Sequence, residues 1–557
     1  MRLSTDEDHD EERALATIAA AAAAGMTVFD TARAYGDNEQ LVARALRSCG
    51  AEATARIVTK GGMSRSGAAW IPDGRAKAIL ADCEASLAAV DGLPIDLYLL
   101  HAPDPRTPWQ TSLRALARLV DKGLVRRVGV ANVNRGQLDE ALELAPVAAV
   151  QVGLSPFDDR SLRGGVVSRC AERGIAVIAH SPLGGPRRVG GLARREALTD
   201  VAEAYGATPA EVTLAWLLGL SPLVVPIPGA RRPETARSAA RAATLKLRAK
   251  DHAVLDRALG RARPRPRART RPDGGAEVVV VMGVPGAGKS RIAAEYAARG
   301  YVRLNRDERG GTLRALADAL EQQLSARTQR VVLDNTYLTR AARNDVIEAA
   351  GRHGASVRCV WLDTPLAQAQ VNLVERLLDR FGSLPTPTAL RGQGQHEPGL
   401  LAPTSQMRAF RELEPPSADE GWADVERVVF EREPTDGGRP GIFVAAAALA
   451  QERWDRALEH GDRDLPHLVF HWSPDGSESI LVDAAARLAK EVSAPVERAL
   501  CPHPAGPPRC WCRPPLPGLP LAFARAHDVD PAKSTLIGSG PAHRTLAAAL
   551  GARYLEV

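Results

Sequence analysis

Long apolar runs are missing from this chain. The longest near its start, Ile18 to Met26, is mostly Ala, is too short to cross a bilayer, and follows the acidic stretch Asp6 to Glu12. An acidic flank is the wrong one for a secretory signal. The expectation is a cytoplasmic protein with no membrane partner. Cysteine is scarce too, with seven residues, of which four are scattered (Cys49, Cys83, Cys170, Cys359) and three crowd into 501–512. An odd count with one tight cluster excludes a disulfide framework and points to a metal site. Aromatic residues make up only 4%, and no aromatic-rich patch is visible on which bases would stack. The net charge of +6, from 72 Lys+Arg against 66 Asp+Glu, is too mild over 557 residues to establish a nucleic-acid partner.

What is present is ordinary for globular protein: 45% hydrophobic and 25% charged residues. That balance excludes a wholly disordered or collagen-like chain, and the length suits about three or four domains. Residues 261–272 read RARPRPRARTRP. Alternating Pro and Arg cannot form a helix and bury nothing, so this is an extended basic linker able to add nonspecific phosphate affinity. A softer break, EPTDGGRPG, runs from Glu433 to Gly441. The resulting segments are 1–260, a linker 261–275, 276–435 and 436–557. The Pro-rich stretch 382–405 reads as a loop, either a lid or a connector.

In the first segment short apolar runs alternate with helical patterns. The runs are Met26–Asp30, Arg56–Lys60, Asp96–His101, Arg127–Asn132, Ala148–Gly153, Ile175–His180 and Pro222–Ile227. Each is apolar on both faces, as parallel strands buried between helices are. Seven of them predict an eight-stranded (β/α) barrel with a truncated first strand, whose end would be the opening MRLST. Active sites of such barrels sit at the C-terminal strand ends. Asp30, Lys60 and His101 close three runs there, and Tyr35 follows the first of them. An ammonium beside a phenol stabilises the phenolate and lowers its pKa, a carboxylate holds the ammonium, and a histidine orients a carbonyl oxygen. Together these form a device for protonating a carbonyl as hydride arrives from a nicotinamide.

FDTARAYG, VTKGG, LLHAPDP, GVANVN, HSPLGG and IPGARRPE, in this order, resemble the aldo-keto reductase family over about residues 1–258. The resemblance implies an NADP(H)-dependent reductase of small aldehydes or ketones. Tyr35 would be the general acid/base, Lys60 and Asp30 would tune it, and His101 would orient the substrate. Asn132 and Gln151 match positions that hold the nicotinamide amide. His180, Ser181, Pro182 and Leu183 match cofactor-binding positions, and Gly229, Ala230 and Arg231 fall where the family grips the adenosine phosphate. Two departures touch the cofactor: His180 stands where the family usually has a stacking Tyr, and Ala131 replaces a Ser.

After the linker, EVVVVM (277–282) reads as a buried strand, followed at once by GVPGAGKS and then a helical pattern. This is a P-loop in its confirming context. The backbone at Gly283, Gly286 and Gly288 cradles phosphates, Lys289 reaches the outer ones and Ser290 ligates Mg²⁺. Asp307, in YVRLNRD, is a candidate to accept the proton of an attacking hydroxyl. Asp334, in VVLDNT, is a candidate for holding Mg²⁺ through water or for binding substrate. Arg376 and Arg380 are four apart on one helical face, suited to closing over ATP. GVPGAGKS, LNRDERGG and LDNTYLTRAAR resemble polynucleotide 5′-hydroxyl kinases over about residues 276–385. That resemblance implies ATP with Mg²⁺, Asp307 as general base towards nucleic-acid 5′ ends, and Arg309 and Arg343 as substrate contacts.

Residues 501–512 read CPHPAGPPRCWC. Cys501, His503, Cys510 and Cys512 offer three thiolates and an imidazole, a soft donor set that favours tetrahedral Zn²⁺. With CRPPLPG and the later STLIG, the segment from about 440 resembles phosphatases of the haloacid dehalogenase (HAD) superfamily that carry a zinc loop. GIFVAAAAL (441–449) has Ala where that family needs Asp, so the resemblance implies a degenerate, Rossmannoid domain with structural zinc and no nucleophile. The expected whole is an α/β chain: a TIM barrel, a P-loop NTPase domain and a degenerate HAD-like domain. Its expected function is a reductase fused to a 5′-hydroxyl kinase. Two alternatives stay open: a barrel that only senses NADP(H), and a kinase acting on a small molecule.

Overall fold

The computed structural model describes residues 10–67, 69–259, 275–392, 400–432, 437–450, 463–506 and 508–557. The opening MRLST and nearly all of the Arg/Pro linker lie outside the described residues. The chain divides into two compact units, Met1–Arg265 and Pro266–Val557.

In the first unit the apolar runs become strands within a residue or two of expectation. They are β1 (Val28–Asp30), β2 (Arg56–Gly61), a hairpin β3 (Met63–Ser66) and β4 (Ala69–Pro72), then β5 (Ile95–Leu100), β6 (Val128–Ala131), β7 (Val147–Gly153), β8 (Ala176–His180) and β9 (Val224–Ile227). Seven of these form one sheet in the order β1-β2-β5-β6-β7-β8-β9, with every neighbour parallel. Outside them the ring of helices is continuous: the helix Glu11–Ala23 packs against both Asn38–Ser48 and Pro233–Ala242. Val58, Leu97, Leu99, Ala149 and Ile178 cluster separately from the main core, as side chains filling a barrel interior do. Gly129 permits the closest strand approach there, since a Cβ would sit 2.2 Å from the Ala149 carbonyl oxygen.

The second unit contains two parallel sheets. The first is built from β10 (Glu277–Met282), β11 (Val302–Asn305), β12 (Arg330–Asp334), β13 (Ser356–Asp363) and β14 (Asp424–Val429), in the order β11-β12-β10-β13-β14. The other holds β15 (Ile442–Ala445), β16 (His467–Trp472), β17 (Val496–Cys501), β18 (Thr535–Gly538) and β19 (Arg553–Glu556), in the order β17-β16-β15-β18-β19. One apolar cluster spans both: Leu373, Val374 and Leu377 of the helix Leu366–Phe381 join Phe443, Phe470, Trp511 and Leu546. The stretch 382–405 is not all loop. Pro387–Gly392 is helical, and a second helix, Pro403–Glu412, starts with Pro at its first position, where no backbone N–H is needed.

Candidate active sites

In the barrel the expected residues meet at the C-terminal strand ends. Lys60, fully buried, donates to both carboxylate oxygens of Asp30 at 2.7 and 2.8 Å and to the Thr31 carbonyl at 2.7 Å. Gln151 Nε2 donates to Asp30 Oδ1 at 2.7 Å. Burial works against charge on Asp30, but the Lys60 ammonium outweighs it and holds the carboxyl below its usual range. The Lys60 nitrogen lies 5.4 Å from the centre of the Tyr35 ring. Tyr35 in turn packs edge-on against His101, with centroids 5.8 Å apart. The four residues expected from three strand ends are therefore one constellation.

They open onto a cavity of about 1180 Å³ that all the expected reductase-site residues except Lys60 line; Lys60 lies beneath it. Asn132 has a left-handed backbone (φ 57°) and is fully engaged: Nδ2 donates to the His101 carbonyl at 2.9 Å, and Oδ1 accepts from His180 Nε2 at 3.0 Å. Burial, and the charge of Lys60, push the His180 imidazole below its ordinary pKa. Asn132 and Gln151 thus first serve to hold His101, His180 and Asp30 in place. Sequence reading missed Trp70. The β3–β4 hairpin carries it over the mouth, 5.6 Å from His101 and 6.1 Å from Tyr35, with the Arg65 guanidinium 5.0 Å from its ring. A Trp in so aromatic-poor a chain was the available signal. Arg232 and Thr235 extend the expected Gly229–Arg231 end of the cavity at the start of the helix Pro233–Ala242.

The phosphate loop follows β10 and leads into the helix Lys289–Ala298, whose first N–H groups have no intrahelical acceptor. Gly283, Gly286 and Gly288 have φ of 154°, 87° and 93°. At Gly286 a Cβ would lie 2.2 Å from the Ala369 carbonyl oxygen, so the loop is pressed onto the helix Leu366–Phe381. Asn372 donates to the Gly286 carbonyl at 2.9 Å, and the buried Gln406 donates to the Pro285 carbonyl at 2.8 Å. Lys289 Nζ itself donates to the Val284 carbonyl of the loop at 2.9 Å. Desolvation pushes the Lys289 ammonium down to about 8, and Arg376 pushes the same way, against the pull of Asp334 and Asp307. Those four expected residues therefore share one electrostatic site.

Asp334 is buried at the end of β12, where Arg303 donates to it and Asn305 Nδ2 donates at 3.1 Å. Asn305 Oδ1 accepts from the Asp307 backbone at 2.7 Å, which fixes Asp307 at the start of a short helical turn with its carboxylate exposed. Ser290 follows Lys289 in the first helical turn, and Arg380 lies along Phe381 with 5.2 Å to the ring centre. Arg343 is not a substrate contact. It is fully buried, pairs with both Glu420 oxygens at 2.7 Å, and donates to the Tyr337, Leu338 and Glu414 carbonyls. Glu414 and Glu420 lie more than 70 residues away in the sequence, out of reach of motif reading. Arg309 is exposed.

At the end of β17, Cys501, His503, Cys510 and Cys512 bring their ligand atoms within 4.8 Å of one another. Cys501 and Cys510 sulfurs are 3.7 Å apart, and His503 Nδ1 is 3.2 Å from the Cys512 sulfur. Three buried thiols and one imidazole nitrogen converging on a point fit a soft, four-coordinate metal ion.

Barrel, tetrad and cavity define an oxidoreductase of the aldo-keto type. Residues 1–259 match the aldo/keto reductase family, and residues 278–393 match an AAA domain. The aldo-keto reductase str7 of Strobilurus tenacellus is 29% identical over 277 residues, covering 44% of this chain and 81% of that protein. An uncharacterized oxidoreductase of Schizosaccharomyces pombe is 30% identical over 255 residues, covering 45% and 80%. Probable aldo-keto reductase 1 of Glycine max is 30% identical over 273 residues, covering 43% and 78%. Through its N-terminal half the chain belongs to the aldo/keto reductase family, and it adds to that barrel a P-loop domain of AAA type. No helix among the described residues is long and apolar enough to cross a membrane.

Proposed function

We propose that the chain joins an NADP(H)-dependent reductase of small aldehydes or ketones to an ATP-dependent kinase acting on nucleic-acid 5′-hydroxyl ends. The reductase reading rests on the Lys60–Asp30 pair buried under Tyr35 and His101. A bound nicotinamide cofactor would supply hydride. Tyr35 gives the proton to the carbonyl oxygen, Lys60 lowers the cost of the phenolate, Asp30 fixes Lys60, and His101 orients the substrate. Ser181–Leu183 and Gly229–Arg232 line the cavity where such a dinucleotide would lie. The test is oxidation of NADPH by a panel of aldehydes, compared between wild type and Tyr35→Phe. Cofactor binding without turnover by wild type would leave the barrel a sensor.

The kinase reading rests on the phosphate loop, with Asp307, Asp334 and Arg376 within electrostatic reach of Lys289. Ser290 would hold Mg²⁺ and the loop the ATP phosphates, and Asp307 would serve as general base. Transfer of labelled phosphate to 5′-hydroxyl oligonucleotides, with Lys289→Ala and Asp307→Asn as controls, tests it. Transfer only to sugars such as gluconate would make the acceptor a small molecule.

The C-terminal sheet reads as a phosphatase-like fold of the HAD type without its chemistry. Ala445 and Ala446 occupy the end of its central strand β15 and offer no carboxylate. The Cys501–Cys512 cluster would hold structural zinc.

A further inference from the structure

A cavity of about 1040 Å³ lies within the second unit, and no motif accounts for it. It begins at Ala287 and Gly288 of the phosphate loop and reaches the C-terminal lobe at Val529 to Lys533. We propose that this cleft holds the base and ribose of the nucleoside triphosphate whose phosphates rest on the loop, and that the C-terminal lobe is one of its walls. The proposal deepens the P-loop reading and rests on it.

Continuity is the first argument. Phosphates on the helix N-terminus leave the sugar next to Gly288, where the cavity starts. The lining is the second. Ile292, Leu362 and Val371 line it from the kinase lobe and Val529 from the C-terminal lobe, beside charged groups that include Glu375, Arg432, Asp530 and Lys533. Apolar surface for a flat heterocycle and polar groups for a diol are both present. Glu375 is exposed on the cleft, where its carboxylate can accept from ribose hydroxyls.

The far wall is also fixed in place. Arg432 donates to the Leu550 carbonyl, to the Ala549 carbonyl at 3.0 Å and to Gln368 Oε1 at 3.0 Å. Arg525 pairs with Asp379 of the helix that carries Arg376. Lys533 donates to the Gly437 carbonyl at 2.8 Å, and Asp530 accepts from the Ala532 backbone at 2.9 Å. The segment forming the wall is thus tied both to its own lobe and to the kinase lobe.

Titration of the full-length protein with Mg·ATP and with Mg·tripolyphosphate tests this. Wild type should bind ATP more tightly than tripolyphosphate. Ala532→Trp, at an exposed wall position, should weaken ATP about tenfold while tripolyphosphate affinity and melting temperature stay unchanged. Glu375→Gln should narrow the preference for ATP over its 2′,3′-dideoxy analogue. Equal binding of ATP and tripolyphosphate by wild type, or unaltered ATP affinity in both variants, would overturn the proposal. Binding of neither ligand, or binding indifferent to Lys289→Ala, would instead sink the P-loop reading, and this proposal with it.

Discussion

Lys60 is fully buried against Asp30, and that fixes what its neighbours can do. Asp30 pairs with it, within 2.8 Å. Lys60→Met would leave Asp30 buried without its partner, at a cost of about 3–5 kcal/mol. It should therefore lower both melting temperature and aldehyde turnover. Tyr35→Phe removes a hydroxyl at the rim and should leave melting unchanged while turnover falls by roughly 10²–10⁴-fold. NADPH oxidation beside thermal denaturation separates the two. Because the Asp30 pKa is depressed in the folded protein, the stability from this pair is complete above the unfolded value near pH 4 and is lost as pH falls through the folded one. Lys289 has a depressed pKa too, but its window lies at higher pH. Its pKa of about 8 means the free enzyme loses the ammonium as pH rises through that value. Triphosphate binding restores the charge, so it should take up a proton near pH 8 and almost none near pH 6. Calorimetry in buffers of differing ionisation enthalpy reads that uptake; its absence at pH 8 would contradict a desolvated Lys289. Residues at strand ends such as Asp30 and Lys60 were legible because barrel geometry brings strand ends together. Arg343 was not, because its partner Glu420 is close only after folding.

Strands were easier to read than the segments between them. Buried parallel strands are apolar on both faces, so β10 could be placed to the residue. The β3–β4 hairpin escaped because its residues alternate weakly and include exposed Trp70 and Ile71, whose role lies over the cavity mouth. The Pro-rich stretch before Gln406 looked like a loop because Pro marks both helix starts and breaks; only the fold shows Gln406 bracing the phosphate loop. The cysteine cluster touches that same region. Leu384, just beyond the helix bearing Arg376 and Arg380, packs on Cys501, Cys510 and Cys512, and Trp511 Nε1 donates to the Leu401 carbonyl at 3.0 Å. A metal on the four ligands would hold this surface rigid. Stripping it with a chelator should lower the melting temperature of the second unit and its phosphate transfer, and leave aldehyde reduction unchanged. Metal analysis showing no bound zinc, with melting indifferent to chelator, would remove the ion from the account.

At the scale of the whole chain, composition suggested more independent domains than the packing has. The barrel closes its own apolar cluster with residues from Ala14 to Leu259. The kinase lobe closes clusters on both faces of its sheet but leaves one face of the helix Leu366–Phe381 to its neighbour. Leu373, Val374, Leu377 and Leu378 are each at most 2% exposed, within a cluster completed by Phe443, Phe470 and Leu546 from the C-terminal sheet. At roughly 1.5–3 kcal/mol for each buried side chain, uncovering these four costs about 6–12 kcal/mol. That is comparable to the roughly 5–15 kcal/mol that holds a whole domain folded. A fragment of residues 275–432 should therefore bind the dye ANS and aggregate, whereas residues 10–259 should stay soluble and cooperative. Scanning calorimetry of the intact chain should show two transitions, one for each unit. A third transition, or a kinase fragment that melts as sharply alone as with its neighbour, would mean that the shared apolar face contributes little. The wall proposed for the nucleotide would then belong to a lobe free to leave.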